Sequence, residues 1–343
     1  VLLKNEGGLL PLDKKEVRKI AVIGNRAESV LKDWYGALPA YSVSALEGIK
    51  AAVEGEDVEV RFQAWDSDGK AQELAAWADV AIVCVGNHPM TSPDWKWEKI
   101  QAPWGEGTVA GDGREAVDRR SLELESEDLI KMVWKANPNT IVALISSFPY
   151  TIDWTQEHVP SILHVSQCSQ ELGNALADVI FGDYNPAGRT TQTWVKDILD
   201  LPGMLDYDIR NGRTYMYFKG EPLYPFGYGL SYTSFEYSRL KVRCQEDSVR
   251  LSFDLSNTGG RDGEEVVQLY VRFPGDDAAM RLRGFERVPV SEGETVRVDL
   301  VVPFEDLKLW DTEAGAFGLA GGRYEFLIGA SSEDIRLSDS VAL

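Results

Sequence analysis

The sequence predicts an α/β sandwich with a mainly parallel sheet, followed by an all-β sandwich. Two observations carry this. Over roughly residues 17–200, short apolar runs alternate with stretches of helical periodicity, the pattern of a parallel sheet covered by helices. From Phe235 on, β-branched and aromatic residues alternate with polar ones between turn signals, the pattern of short antiparallel strands. The length of 343 residues agrees with two domains, at about 150 residues each.

The first domain is read over residues 19–200, after a linker at 1–18. The chain starts inside an apolar run, VLLKNEGGLLPL, with no residue ahead of it to cap a helix, so an upstream segment is expected. Residues 19–24 (KIAVIG), 79–86 (DVAIVCVG), 140–146 (TIVALIS) and 161–165 (SILHV) are short apolar runs and read as strands buried on both faces. Residues 43–53 form a helix with Ser44 as N-cap and Glu47 at the capping-box offset. Residues 70–78 and 126–136 show 3.6-residue spacing, the second ending at Asn137-Pro138, and 169–181 run into Gly182.

Residues 201–234, rich in Gly, Pro, Tyr and Asp and without periodicity, read as an ordered connector. Residues 235–343 contain SVRLSFDLSN, EVVQLYVRF, TVRVDLVV and RYEFLIGAS, and end in an alternating SSEDIRLSDSVAL. Without a Cys–Trp–Cys pattern, the better match is a fibronectin III-like sandwich. The alternating C-terminal stretch fits a last edge strand.

Composition narrows the function. The 35 Lys and Arg face 55 Asp and Glu, a net charge of -20. That argues against nucleic acid or an anionic membrane surface, which would repel the chain. No stretch approaches the roughly 18 apolar residues of a membrane helix. Cys84, Cys168 and Cys244 are too few and too scattered for a disulfide framework or a zinc site, and no metal or cofactor is expected.

In open parallel sheets, ligands bind beyond the carboxyl ends of the strands. The run DVAIVCVG is followed by NHPMTSPDWKWEKIQAPWGEGTVAGDGREAVDRR at 87–120, far longer than an economical connection of about 12–15 residues at most. It carries His88, Trp95, Trp97 and Trp104, with Asp94, Glu98, Glu106, Asp112, Glu115 and Asp118. Indoles stack on the apolar faces of sugar rings, and carboxylates bind hydroxyls or move protons. On these grounds a sugar site and a surface flap with tucked-in tryptophans stand equal. Trp34 and Tyr35, after the first strand, read equally as a site wall or as a core aromatic pair.

In order along the chain stand VLLKNEGGLLPL, KIAVIGN, GREAVDRRSLEL, ELGNALADVIFGDYNPAGR, EPLYPFGYGLSYTSFEYS, NTGGRDGEEVVQLYV and RLRGFERVPVSEGE. Together they resemble the second and third domains of family 3 glycoside hydrolases, a family of β-glucosidases and β-xylosidases. The resemblance covers essentially the whole chain. Each segment alone is weak; FGDYNPAGR followed by YPFGYGLSYTSF is specific.

The resemblance implies a retaining exo-acting β-glycosidase whose substrate is an oligosaccharide or other β-glycoside. It implies a preceding (β/α)8-like barrel that supplies the nucleophilic Asp. The α/β sandwich then supplies the general acid/base, a Glu in a Glu-Gly-x-Asp-Arg type motif. Glu115-Ala116-Val117-Asp118-Arg119 matches, with Ala where Gly is common, so that backbone angles open to Gly are closed to Ala116. Glu115 is therefore the acid/base, with Glu106 and Glu98 as runners-up. Asp118 and Arg119 read as a loop-holding ion pair, Arg119 alternatively as a hydroxyl donor. His88 reads as a sugar-site residue or a structural histidine. Aglycone-side binding falls to Trp34, Trp95, Trp97 and Trp104.

No Ser-Asp-Trp nucleophile motif occurs in the chain, and it has no room for a barrel of about 250 residues besides its two domains. The isolated chain is expected to be inactive. The competing reading is a non-catalytic carbohydrate-binding or adhesion module that kept the fold. N-acetylglucosaminidase chemistry is disfavoured, because such branches of the family often take their acid/base from the barrel. The resemblance favours a secreted or periplasmic protein and leaves a homodimer open.

Overall fold

The structure is a computed structural model. It describes residues 1–28, 30, 39–64, 68–86, 122–124, 126–146, 148–166 and 169–343. By contacts the chain divides into two units, residues 1–184 with 196–198, and residues 185–195 with 199–343.

In the first unit the described strands are β1 (Leu2–Asn5), β2 (Lys19–Ile23), β3 (Glu59–Gln63), β4 (Val80–Val85), β5 (Thr140–Ile145) and β6 (Ser161–Val165). They form one sheet in the order β1-β6-β5-β4-β2-β3. Strands β2 to β6 are parallel to their neighbours, and β1 runs antiparallel to β6. Every residue of β4 and β5 is buried, which requires cover on both faces. The helices α1 (Ala45–Ala52), α2 (Lys70–Trp77), α3 (Glu127–Ala136), α4 (Asp153–His158) and α5 (Leu172–Phe181) supply it.

The helix ends follow their local chemistry. Ser44 caps α1: its Oγ accepts from the Glu47 amide at 3.3 Å, and the Glu47 carboxylate accepts the Ser44 amide at 2.8 Å. The Ser44 amide and hydroxyl, both donating to this carboxylate, hold it below its ordinary range. Helix α5 stops at Gly182 in the left-handed region, φ 76°. Asn137, just past α3, donates through Nδ2 to the Ala75 and Ala78 carbonyls, satisfying the C-terminal end of α2.

In the first unit three features depart from the sequence expectation. Residues 1–18, expected as a linker, contribute the edge strand β1, because Leu2 and Leu3 bury fully while pairing with β6. Strand β3 (EVRFQ) is additional to the expected strands. It lies at the sheet edge, half exposed and bearing charges, so it lacks an apolar run. Helix α4 has only six residues, too few to display a period.

In the second unit the strands are β7 (Phe235–Cys244), β8 (Ser248–Asn257), β9 (Gly263–Arg272), β10 (Arg281–Val290), β11 (Thr295–Pro303), β12 (Leu309–Asp311), β13 (Ala316–Gly318), β14 (Arg323–Gly329) and β15 (Ile335–Ala342). Sheets β10-β9-β14-β15 and β11-β8-β7 are antiparallel, with β12 and β13 as a separate hairpin. Alternate residues Val249, Leu251, Phe253 and Leu255 of β8 meet Val267, Leu269, Phe326 and Ile328 of the other sheet in one core. β15, from the alternating C-terminal stretch, is an edge strand.

Residues 185–195, expected within the first domain, pack with the sandwich. The Asn185 amide donates to the Asp262 carbonyl at 2.9 Å and accepts from Ser231 and the Tyr232 amide. Arg189 forms a buried ion pair with Glu265 at 2.8 Å.

Helices α1 and α5 touch backbone to backbone. A Cβ on Gly173 would stand 1.9 Å from the Ser44 carbonyl oxygen, and one on Gly48 2.1 Å from the Gly173 carbonyl. Backbone cannot yield as a side-chain tip can. Gly173→Ala is therefore expected to destabilise the first unit by about 3 kcal/mol, read as a fall in the urea midpoint at unchanged slope. An unchanged midpoint would refute the close packing.

Candidate functional site

The chain passes from β2 to β3 on one side and then to β4 on the other, so β2 and β4 flank the point where the strand order reverses. Such a switch point opens a crevice at the carboxyl ends. Both ends here are glycine. Gly24, after β2, has φ 113°, and a Cβ there would lie 2.2 Å from the Cys84 carbonyl oxygen. Gly86, after β4, has φ 147°, and a Cβ there would lie 2.2 Å from the Ile145 carbonyl oxygen. Neither the angles nor the space admit a side chain.

Arg26 locks this rim. Its backbone amide donates to the Cys84 carbonyl at 3.3 Å and its Nε to the Gly86 carbonyl at 2.8 Å. The guanidinium is buried. The Gly24 amide donates to the Gln63 carbonyl at 3.1 Å, so β3, β2 and β4 are tied at one level. Cys84 lies fully buried beneath, and burial pushes its thiol up to about 12, which makes it inert.

At the ends of β5 and β6 stands a second knot. Buried Ser146 accepts on Oγ from the Tyr150 hydroxyl at 2.6 Å and the Phe148 amide at 2.9 Å. Its amide donates to the Val165 carbonyl at 3.0 Å. The His164 Nε2 lies 2.9 Å from the Ser146 carbonyl, a contact a neutral imidazole makes as donor. None of Arg26, Ser146, Tyr150 and His164 is a carboxylic acid. They supply a fixed platform at the carboxyl ends of β2, β4, β5 and β6.

Glu115, Glu106, Glu98, His88, Trp95, Trp97, Trp104, Asp118 and Arg119 fall in residues 87–121, and Trp34 and Tyr35 in residues 31–38. All of them lie outside the described residues. In chain order the first stretch follows β4 and the second follows β2. Sequence reading did not single out Arg26, Ser146, Tyr150 or His164. For Arg26 a signal existed, an arginine two residues past the glycine that ends a buried strand. For the other three the partners are set by the fold. Among the described residues no group of three or more His, Cys, Asp or Glu is placed to hold a metal ion.

Burial pulls the His164 imidazole down to about 4, with the Ser146 hydrogen bond opposing. Between about 4 and 6.5 the unfolded chain therefore binds a proton that the folded chain refuses. The resulting stability is complete above about pH 6.5 and is lost as pH falls toward 4, roughly 3 kcal/mol in all. Urea midpoints across pH 7.5 to 4.5 should show this slope, and His164→Gln should flatten it. An equal slope in both proteins would show that His164 is not its source.

Comparison with known proteins gives the lineage. Residues 1–232 match the Glycosyl hydrolase family 3 C-terminal domain, and residues 265–332 a Fibronectin type III-like domain. A β-xylosidase of Formosa agariphila is 31% identical over 97% of this chain and 47% of its own length. A β-glucosidase of Rhizobium radiobacter is 34% identical over 80% of this chain and 34% of its own. The crystal structure of a β-D-glucoside glucohydrolase from Trichoderma reesei superimposes with a TM-score of 0.85 at 27% identity, over 100% of this chain and 53% of that one. The chain thus spans a third to a half of these relatives, and with its α/β sheet followed by a fibronectin III-like sandwich it belongs to glycoside hydrolase family 3, as the C-terminal part of that architecture.

Proposed function

We propose that the chain is the acid/base half of a retaining, exo-acting β-glycosidase of the β-glucosidase or β-xylosidase type. The nucleophilic Asp belongs to an upstream (β/α)8-like barrel. The observation that carries this is the switch point: the segment holding Glu115 follows one of its two strands, β4, and the segment holding Trp34 follows the other, β2. Family membership and the names of the relatives support the reaction class.

In this reading the barrel Asp attacks the anomeric carbon while Glu115 gives its proton to the departing glycosidic oxygen. The glycosyl-enzyme ester forms as the aglycone leaves. Glu115, now a carboxylate, takes a proton from water, which attacks the same carbon and frees the Asp. The two carboxyl groups must stand about 5–5.5 Å apart. Glu115 needs a pKa raised toward neutrality, which desolvation beneath indoles supplies. Trp34, Trp95, Trp97 and Trp104 stack on sugar rings, and His88 and Arg119 hydrogen-bond their hydroxyls.

The chain alone should not turn over aryl β-glucosides or β-xylosides. In the longest polypeptide the gene encodes, Glu115→Gln should lower kcat/KM by about 10²–10⁴ for poor leaving groups, and much less for dinitrophenyl glycosides, which need no proton. Azide should restore turnover to Glu115→Ala. An unaffected Glu115→Gln would move the role to Glu106 or Glu98. Sugar affinity without any turnover would favour the binding-module reading. Robust turnover by the chain alone, abolished by Glu115→Gln, would disprove the division of the site between two halves.

A further inference from the structure

The second unit carries a loop that is apolar on its outside. Between residues 199 and 209 five large apolar side chains face solvent: Leu199, Met204, Leu205, Tyr207 and Ile209. Leu205 and Tyr207 are 86% and 83% exposed. Single exposed apolar residues are ordinary, but a run of them marks an interaction surface.

The loop is also built. The Arg213 guanidinium donates to the Asp206 carbonyl at 2.9 Å and the Gly203 carbonyl at 2.8 Å. The Asp206 carboxylate accepts the Asp208 amide at 3.0 Å and the Asn211 side chain at 2.8 Å. Asp208 in turn takes the Arg210 guanidinium as a fork, at 2.8 and 2.6 Å. The polar groups are engaged within the loop while the apolar ones point out. A surface held in its binding shape loses less entropy when it is covered.

We propose that residues 199–209 are the docking strip for the upstream half of the same polypeptide. This rests on the reading that the chain is half of a longer glycosidase. Relatives spanning the whole chain carry about as much polypeptide again, since the chain covers 47% of one and 53% of another. Strip size decides between this occupant and a second copy. A self-standing interface uses about 20–30 residues a side, which five side chains do not approach. A tethered partner, at an effective concentration in the millimolar range, needs far less area.

Hydroxyl-radical footprinting read by mass spectrometry tests this, on the chain alone and on the longest polypeptide the gene encodes. Met204 and Tyr207 should be modified at least five-fold more slowly in the longer protein, while exposed Trp310 and Phe317 react alike in both. The pair Leu205→Asp and Tyr207→Asp should leave the melting temperature of the chain alone unchanged and remove the protection of Met204 in the longer protein. Equal reactivity in both proteins overturns the proposal, as does a gene with no upstream half. Protection in the chain alone that rises with concentration also overturns it, in favour of a second copy. Protection without any effect of Glu115→Gln keeps the docking strip and refutes only the acid/base assignment.

Discussion

A sheet whose central strands are buried on both faces can hold chemistry only at its ends. Strands β4 and β5 have no exposed residue, and a charged group placed among them would cost several kcal/mol of desolvation. The carboxyl rim is where the backbone first becomes available. There the strands approach so closely that Gly24 and Gly86 admit no side chain. The guanidinium of Arg26 bonds to the Gly86 carbonyl, at the last described residue before the long segment that follows β4. The rim thereby fixes where that segment leaves the sheet.

Buried polar groups serve the second unit in the same way. Gln268 donates to the Gly227 and Ala330 carbonyls and accepts from the Tyr270 hydroxyl. Arg189 and Glu265 pair out of water. Such groups add little net stability against apolar replacements, yet breaking one leaves a buried partner unsatisfied. They thus select one arrangement of residues 185–195 and 225–230 against the sandwich over others of similar apolar burial. The stretch 201–234 is held in this way with only two short helical turns of its own, Ile209–Asn211 and Thr214–Tyr217.

How much of this was legible in the sequence depends on how local each cause is. Strands β2, β4 and β5 announce themselves as apolar runs because burial on both faces leaves few polar positions, only Lys19 and Thr140 at their first residues. Ser44 and Glu47 are three residues apart and cap a helix whatever surrounds them. Strand β1 was hidden because its burial depends on β6, some 160 residues away. The neutral state of His164 depends likewise on packing that no local pattern records. For the site, the sequence supplied residue types, one long segment and a family motif around Glu115. It could not supply the rim, because Arg26, Cys84 and Gly86 become neighbours only when β2 and β4 pair.

The same locality bears on why a divided site would need so rigid a rim. A retaining mechanism tolerates little error in the separation of its two carboxyl groups, and a misplacement of about 1 Å can cost on the order of 10² in rate. If one group belongs to another domain, the error of the interface adds to the error of the loop. Long side chains on the surface cannot supply that precision, because each retains several rotamers. Backbone contacts at glycine, a buried guanidinium on a carbonyl and a serine held by a tyrosine hydroxyl each leave one arrangement. The rim of this sheet is made of those three devices, so on the proposed reading the positional error is concentrated in the loop and in the docking between halves, where substrate binding can correct it.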